Sequence, residues 1–296
     1  MLCIIFTFLL SGCWSYIGLD EISMVSGLAV DKDNQSNHFK LSIEIFDLSA
    51  STKEKGPKTK IIETKGITIF DAVRNAKKKL SNKLYFGHAK IIVLSEDIAK
   101  KEDLINLVDL FIRDKETREN VYVVISQEKT ASDILKVQGT DQSNISQALN
   151  NIVSNDSKVT SSTAPLELYG IYNILNYPGI SATLPAFHNV ESEEEKKNEQ
   201  QDKVKSQEKD QEQSEENKNC ELNGTAVFKN QRLVGYLSPE ESKYFLFITD
   251  GIKGGVLPIS TSGNTDIDSS LEIFHNKTNL SYEKKNGKLI IKVKIK

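Results

Sequence analysis

Between Glu191 and Asn219 the sequence offers almost nothing that a core could use. The run holds eleven acidic side chains and six lysines, and Val204 is its one aliphatic side chain. Such a stretch cannot bury enough apolar surface to offset the entropy of ordering itself, which points to a disordered acidic linker. A solvated helix held by Glu/Lys pairs is the alternative. Either way the run divides the chain into blocks 1–190 and 220–296, so the fold must be built from pieces on either side. At 296 residues the chain is long enough for two domains, at roughly 100–200 residues each. The run carries a net charge of −5 and the whole chain −3, which leaves the remainder about +2. A chain so balanced, with no basic stripe interleaved with aromatics, is not expected to bind nucleic acid.

The longest apolar stretch lies at the beginning, Met-Leu-Cys-Ile-Ile-Phe-Thr-Phe-Leu-Leu, residues 1–10. Its length suits the core of a signal peptide and falls short of the roughly 20 residues a spanning helix needs. No Lys or Arg precedes it; either the start site is placed too far downstream or the signal is atypical. Directly after it comes Leu10-Ser11-Gly12-Cys13-Trp14. Small Ser11 and Gly12 would let a peptidase approach the backbone, and a cysteine thiolate is the best side-chain nucleophile for lipid transfer. The order of these features resembles the lipobox of bacterial lipoproteins, in which the cysteine receives diacylglycerol and becomes the new N-terminus. A cysteine buried in an N-terminal helix is the competing reading. Lipidation at Cys13 would remove residues 1–12 as signal peptide and leave acyl chains of the palmitate type as a membrane anchor. Burial of about 0.8 kcal/mol per methylene makes two chains a stable anchor where one is not. With only Cys3, Cys13 and Cys220, no disulfide framework is available.

Past the N-terminus, Ile22–Asp31 is an apolar-rich strand, and Phe39–Asp47 alternates apolar and polar with the period of a strand that buries one face. Lys32–His38 forms the loop between them, and Ile61–Thr64 is a third strand. Ile69, Phe70, Val73, Ala76 and Leu80 recur at helical spacing with Lys77–Lys79 outward. Ala89–Leu94 is a buried strand. Asp97–Ile112 is an amphipathic helix capped by Ser95, with Leu104, Leu107, Val108 and Phe111 inward. Strand Val121–Ile125 and helices at Ala131–Lys136, Ser143–Val153 and Pro165–Leu175 follow, the last ended by Pro178-Gly179. After the linker, Gly224–Phe228 and Arg232–Leu237 form a hairpin. Ser238-Pro-Glu-Glu241 opens a helix with a capping box and proline in the first turn. A strand ends at Ile259, and Asn286-Gly287 suits a type I′ turn in a final hairpin. These alternations predict an α+β chain of mixed β-sheets with helices packed on them, in two or more domains. The last domain, 220–296, stops without a closing helix.

Catalytic signatures are absent. The sequence has no His-Glu-x-x-His, Walker loop, Gly-x-Ser-x-Gly or Cys-x-x-Cys. Ser126/Lys129 and Ser206/Lys209 match Ser-x-x-Lys without partner motifs. His38, His88, His188 and His275 show no ligand-like spacing, and His88 reads as a structural polar residue. Asp114, Glu116 and Arg118 read as a solvated turn. Gly254-Gly255 could cradle an anion or simply free the backbone ahead of a strand. No cofactor, no metal and no enzymatic activity are expected.

Taken together, several segments resemble the Ger(x)C family, the lipoprotein C subunits of bacterial spore germinant receptors. They are Ser11-Gly-Cys-Trp14, Leu19-Asp-Glu-Ile22, Val25-Ser-Gly27, Leu84–Val93, Phe111-Ile-Arg-Asp114 with Arg118, and Leu184-Pro185. Beyond the linker they are Gly224–Phe228, Leu233–Leu237 and Gly251–Val256. The resemblance implies a non-enzymatic, lipid-anchored protein on the outer face of the spore inner membrane. It would act in germination beside two integral membrane subunits that sense nutrients. It assigns 1–12 to the lipoprotein signal, 13–190 and 220–296 to germination-protein domains, and 191–219 to the linker. Family members run roughly a hundred residues further, so the C-terminal domain is expected to be incomplete. A lipid-anchored protein that itself captures a small molecule is the second functional expectation.

Overall fold

In the computed structural model the described residues are 18–33, 35–47, 58–137, 144–177, 179–191, 218–249, 251–260 and 269–296. Cys3 and Cys13, Ser206 and the signal segment lie outside them, as do residues 192–217. The fold is mixed α+β, as the alternation of strands and helices predicts.

Strands β1 (Ile22–Lys32), β2 (Phe39–Asp47) and β3 (Lys58–Gly66) form an antiparallel meander. Helix α1 (Ile69–Asn75) leads to the short β4 (Lys83–Tyr85), which pairs with the first residues of β1. Then β5 (Ile91–Ser95) lies parallel to β1, with Gly27 opposite Ile91. Helices α2 (Glu96–Lys101) and α3 (Leu104–Arg113) return the chain to β6 (Tyr122–Ser126), parallel to β5. Helices α4 (Ser132–Leu135), α5 (Ile145–Val159) and α6 (Leu168–Asn176) precede β7 (Thr183–Glu191), again parallel. Antiparallel β8 (Lys218–Lys229) and β9 (Arg232–Leu237) complete a nine-stranded sheet, ordered β3-β2-β1-β5-β6-β7-β8-β9 with β4 beside β1. Beyond it are α7 (Pro239–Ile248) and two hairpins, β10 (Val256–Ile259) with β11 (Ser269–Glu272), and β12 (Thr278–Lys285) with β13 (Lys288–Ile295).

The central strands β1, β5 and β6 are almost wholly apolar because both of their faces are covered. Leu28, Val30, Ile92, Leu94, Val123 and Ile125 join one core with Ile98, Leu107, Val108 and Phe111 of α2 and α3. Ala29, Ile91, Val93 and Val124 point the other way, against Leu149 and Val153 of α5. The alternation of β2 predicts one buried and one solvated face, and here the structure differs. Leu41, Ile43 and Ile45 are buried, but so is Glu44, only 1% exposed. Its Oε1 accepts from the Ile145 N–H at 3.0 Å and the Thr59 hydroxyl at 2.6 Å, and its Oε2 accepts from the Ser146 N–H at 2.8 Å. The carboxylate satisfies the free amides at the start of α5 and complements the positive end of that helix dipole. The Asn144 side chain completes the cap by accepting from Gln147 N–H at 2.9 Å.

One long helix over Asp97–Ile112 is not what forms. Glu102 and Asp103 are extended, which separates α2 from α3. The break is fixed from outside the segment. Glu102 pairs with Lys32 at 2.5 Å, Asp103 accepts from Arg232 at 2.9 Å, and Leu104 N–H donates to the Gln231 carbonyl at 2.9 Å. Ser95 occupies the cap position of α2, yet its hydroxyl makes no capping bond.

The charged run opens and closes inside the sheet, with Glu191 and Lys218 directly paired in the β7–β8 ladder. The capping box forms as the sequence predicts, with Ser238 Oγ accepting from Glu241 N–H and Glu241 accepting from Ser238 N–H. Asn286 and Gly287 both take positive φ, 52° and 75°, as a type I′ turn requires. That hairpin leaves one apolar face outward: Leu280, Tyr282, Leu289, Ile291, Val293 and Ile295 are all exposed.

Removing the Glu44 carboxylate strands amides at a buried helix start. Glu44→Ala should destabilise the protein by about 3 kcal/mol in urea unfolding, and Glu44→Gln, which keeps one acceptor, by less.

Candidate interaction groove

Because β1, β4, β5, β6 and β7 run in one direction, the segments leading into them gather at one end of the sheet. Helix α3 descends to that end and stops at Arg113. There Asp114 Oδ1 accepts from Glu116 N–H at 2.7 Å, which turns the chain back toward β6. Glu116 also pairs with Lys83 of β4 at 2.5 Å and so ties the turn to the start of β1.

Helix α6 is pinned at the same end. Its first amides are satisfied by the segment leading into β6, Leu168 N–H donating to Val121 O at 2.8 Å and Tyr169 N–H to Glu119 O at 3.1 Å. Leu168 and Ile171, three residues apart, enter the core beside Phe111. That spacing turns Tyr169 and Tyr172 outward, 54% and 44% exposed. A groove of about 320 Å³ lies between α3 and α6. Phe111 and Leu168 form its base, and Arg113, Arg118, Tyr169 and Tyr172 its rim. The hydroxyl of Thr117, also in the lining, is buried without a hydrogen-bond partner. Aromatic side chains and arginines around an apolar base are the composition of a contact surface.

The structure brings Asp114, Glu116 and Arg118 together as a turn, and that turn borders the groove. His88 is exposed beside the Tyr85 ring. His188 approaches Glu221 at 3.9 Å across β7 and β8. Among the described residues no His/Cys/Asp/Glu cluster could hold a metal ion. Ser126 is buried, donating to the Thr130 carbonyl at 3.0 Å and accepting from Glu128 N–H, so it serves a turn. Gly254 has a different reason from anion binding: a side chain there would collide with the carbonyl of Lys158. Backbone oxygen, not an anion-seeking amide nest, faces it.

A second cleft is lined by Lys40, Lys65, Lys78 and Lys79 around Glu63. Part of its charge is paired within it. Lys136 and Lys40 lie 2.7 and 3.0 Å from Glu63, and the Lys136 bond chiefly holds that carboxyl below its ordinary range. Lys65 pairs with Asp33, and Lys79 donates to the Glu63 carbonyl at 2.6 Å. Cys220 on β8 is likewise structural. Burial, with Glu128 nearby, pushes its thiol up to about 12, and the Sγ lies 3.3 Å from Asn189 Oδ1.

With this geometry in view, the comparisons with known proteins assign the chain. The model of the spore germination protein N-terminal domain matches residues 15–189, and that of the spore germination B3/GerAC-like C-terminal region matches 223–296. The chain belongs to this family of spore germination proteins. Among its relatives are two from Bacillus subtilis (strain 168). Spore germination protein B3 is 24% identical over 292 residues, covering 97% of this chain and 70% of the relative. Spore germination protein KC is 22% identical over 294 residues with the same coverage. A crystal structure of the GerBC protein aligns with 91% of this chain and 69% of its own, at 20% identity and a TM-score of 0.46.

A thiol titrating near 12 carries almost no thiolate at pH 8. Cys220 should therefore resist iodoacetamide in the folded protein at pH 8 and react at an ordinary rate once unfolded in urea, as peptide mass spectrometry would read.

Proposed function

We propose that the chain is a non-enzymatic, lipid-anchored subunit of a spore nutrient germinant receptor. It works in germination beside two integral membrane subunits on the outer face of the spore inner membrane. The observation that carries the reading is family membership over most of the chain, with Ser11-Gly-Cys-Trp14 just ahead of the first matched domain. Under this reading residues 1–12 are removed and Cys13 carries diacylglycerol. Domains 13–190 and 220–296 are joined by 191–219. Neither a metal, a cofactor nor nucleic acid takes part. The lipid concentrates the folded part beside its membrane partners, converting a bimolecular encounter into a local one.

Cys13→Ala should move the protein from the membrane to the soluble fraction after a carbonate wash. A variant that stays with the membrane would defeat the anchor. Arg118→Ala and Tyr172→Ala change exposed side chains, so unfolding free energy should move by no more than about 0.5 kcal/mol. Nutrient-triggered germination should nevertheless slow in spores carrying either variant, while wild-type rates in both would exclude the groove from the receptor's function.

The groove also favours a second reading, in which the protein itself captures a small molecule. Its volume of about 320 Å³ suits an amino acid or a sugar. Thermal stabilisation by such compounds, lost in Arg118→Ala, would support this reading; an unchanged melting temperature across a germinant panel would reject it.

A further inference from the structure

The end of the sheet that carries the groove is also the end from which the anchor would leave. Gly18 and the 3₁₀ turn Leu19–Glu21 precede β1, and Asn82, just before β4, donates to the carbonyl of Asp20 at 2.8 Å. From Cys13 to Gly18 is five residues, a reach of about 17 Å at full extension. A lipid on Cys13 therefore holds this end of the sheet, and no other, at the bilayer surface. Helix α6 lies at that end with Tyr169 and Tyr172 outward, and Tyr177 and Ile180 follow it, 64% and 58% exposed. Four exposed apolar or aromatic side chains on one short stretch are the composition that settles at the water–hydrocarbon boundary. A tyrosine ring there is partly buried while its hydroxyl stays hydrated. Arg113 and Arg118 border Tyr169 and Tyr172 and can extend upward to headgroups. Glu119 and Glu167 stand among these cations, so the face has little net charge to steer it toward anionic lipid.

We infer that this face, α6 with Tyr177 and Ile180, rests in the interface of the bilayer and orients the protein with β1 rising away from the membrane. The inference rests on the lipid anchor at Cys13. Its occupant is the lipid interface itself, held by apolar contact rather than by charge. The tip of the β1–β2 hairpin, at Gln35, then stands about 33 Å farther out, one strand length away.

The chain's one tryptophan, Trp14, adjoins the anchor, which allows tether and face to be read separately. The lipidated full-length protein is reconstituted into phosphatidylcholine vesicles whose acyl chains are brominated near the headgroup, and tryptophan fluorescence is compared with unbrominated vesicles. Trp14 in the wild-type chain reports the anchor. In a Trp14→Phe background, Tyr172→Trp and Tyr177→Trp report the face and Gln35→Trp the distal end. Quenching of about two-fold at Trp14 and at both face positions, none at Gln35→Trp, and no change with added salt is the expected result. Quenching at Trp14 with none at either face position overturns the inference while leaving the anchor in place, and assigns the tyrosines to a protein partner. Equal quenching at Gln35→Trp overturns it as well, since the protein then has no fixed orientation. Absence of quenching at Trp14 removes the anchor itself and the inference with it.

Discussion

The carboxylate of Glu44 joins the two halves of this architecture. It stands on β2, in the antiparallel meander, and accepts hydrogen bonds from the first amides of α5, the principal helix on the far face of the sheet. Without a charge-bearing acceptor at that point, the start of α5 would be buried with unsatisfied donors. Without the helix, Glu44 would be an isolated buried charge. Each solves the other's problem. Once α5 is seated, β1, β5 and β6 are covered on both sides and can be largely apolar. Asp31 repeats the device on a smaller scale. It accepts from the amides of Ala131 and Ser132 at 2.6 and 3.1 Å, although burial dominates and raises its titration.

The parallel order determines where contacts with other molecules can be built. Strands running in one direction collect their entering segments at one end, and there the Asp114–Thr117 turn, α6 and the start of β1 meet. The groove is a by-product of two requirements. Leu168 and Ile171 must reach Phe111, and the amides of α6 must find acceptors on the strand entering β6. What remains outside is a pair of tyrosines on α6 and a pair of arginines, one at the end of α3 and one in the turn that follows it.

Signals that act between neighbours in sequence are legible in it, and those that act across the fold are not. The capping box at Ser238 and the Asn286-Gly287 turn depend only on neighbours within a few residues, and both form. The helix break at Glu102 depends on Lys32, Gln231 and Arg232, far away in sequence, so periodicity over Asp97–Ile112 could not reveal it. The burial of Glu44 is hidden in the same way, because alternation reports which face a residue occupies, not whether a helix will cover that face. Of the residues that carry the family resemblance, Phe111, Ile112, Arg113 and Arg118 line the groove. Tyr169 and Tyr172 belong to no motif of the sequence, yet Leu168, Ile171 and Leu175 mark the opposite stripe of the same helix and so leave them outward. Cys13 was legible only as a chemical pattern.

The pairing of Glu191 with Lys218 carries a practical consequence. The two residues are ladder partners, so the ends of the intervening segment stand about 5 Å apart whatever its length. For a loop whose ends are already fixed, added length costs little, about 0.6 kcal/mol per doubling. The position is therefore a natural seam. A fluorescent domain whose own termini lie close together could be spliced between these strands without shifting the register of the sheet. It would place an optical reporter inside a spore while leaving the amino terminus untouched.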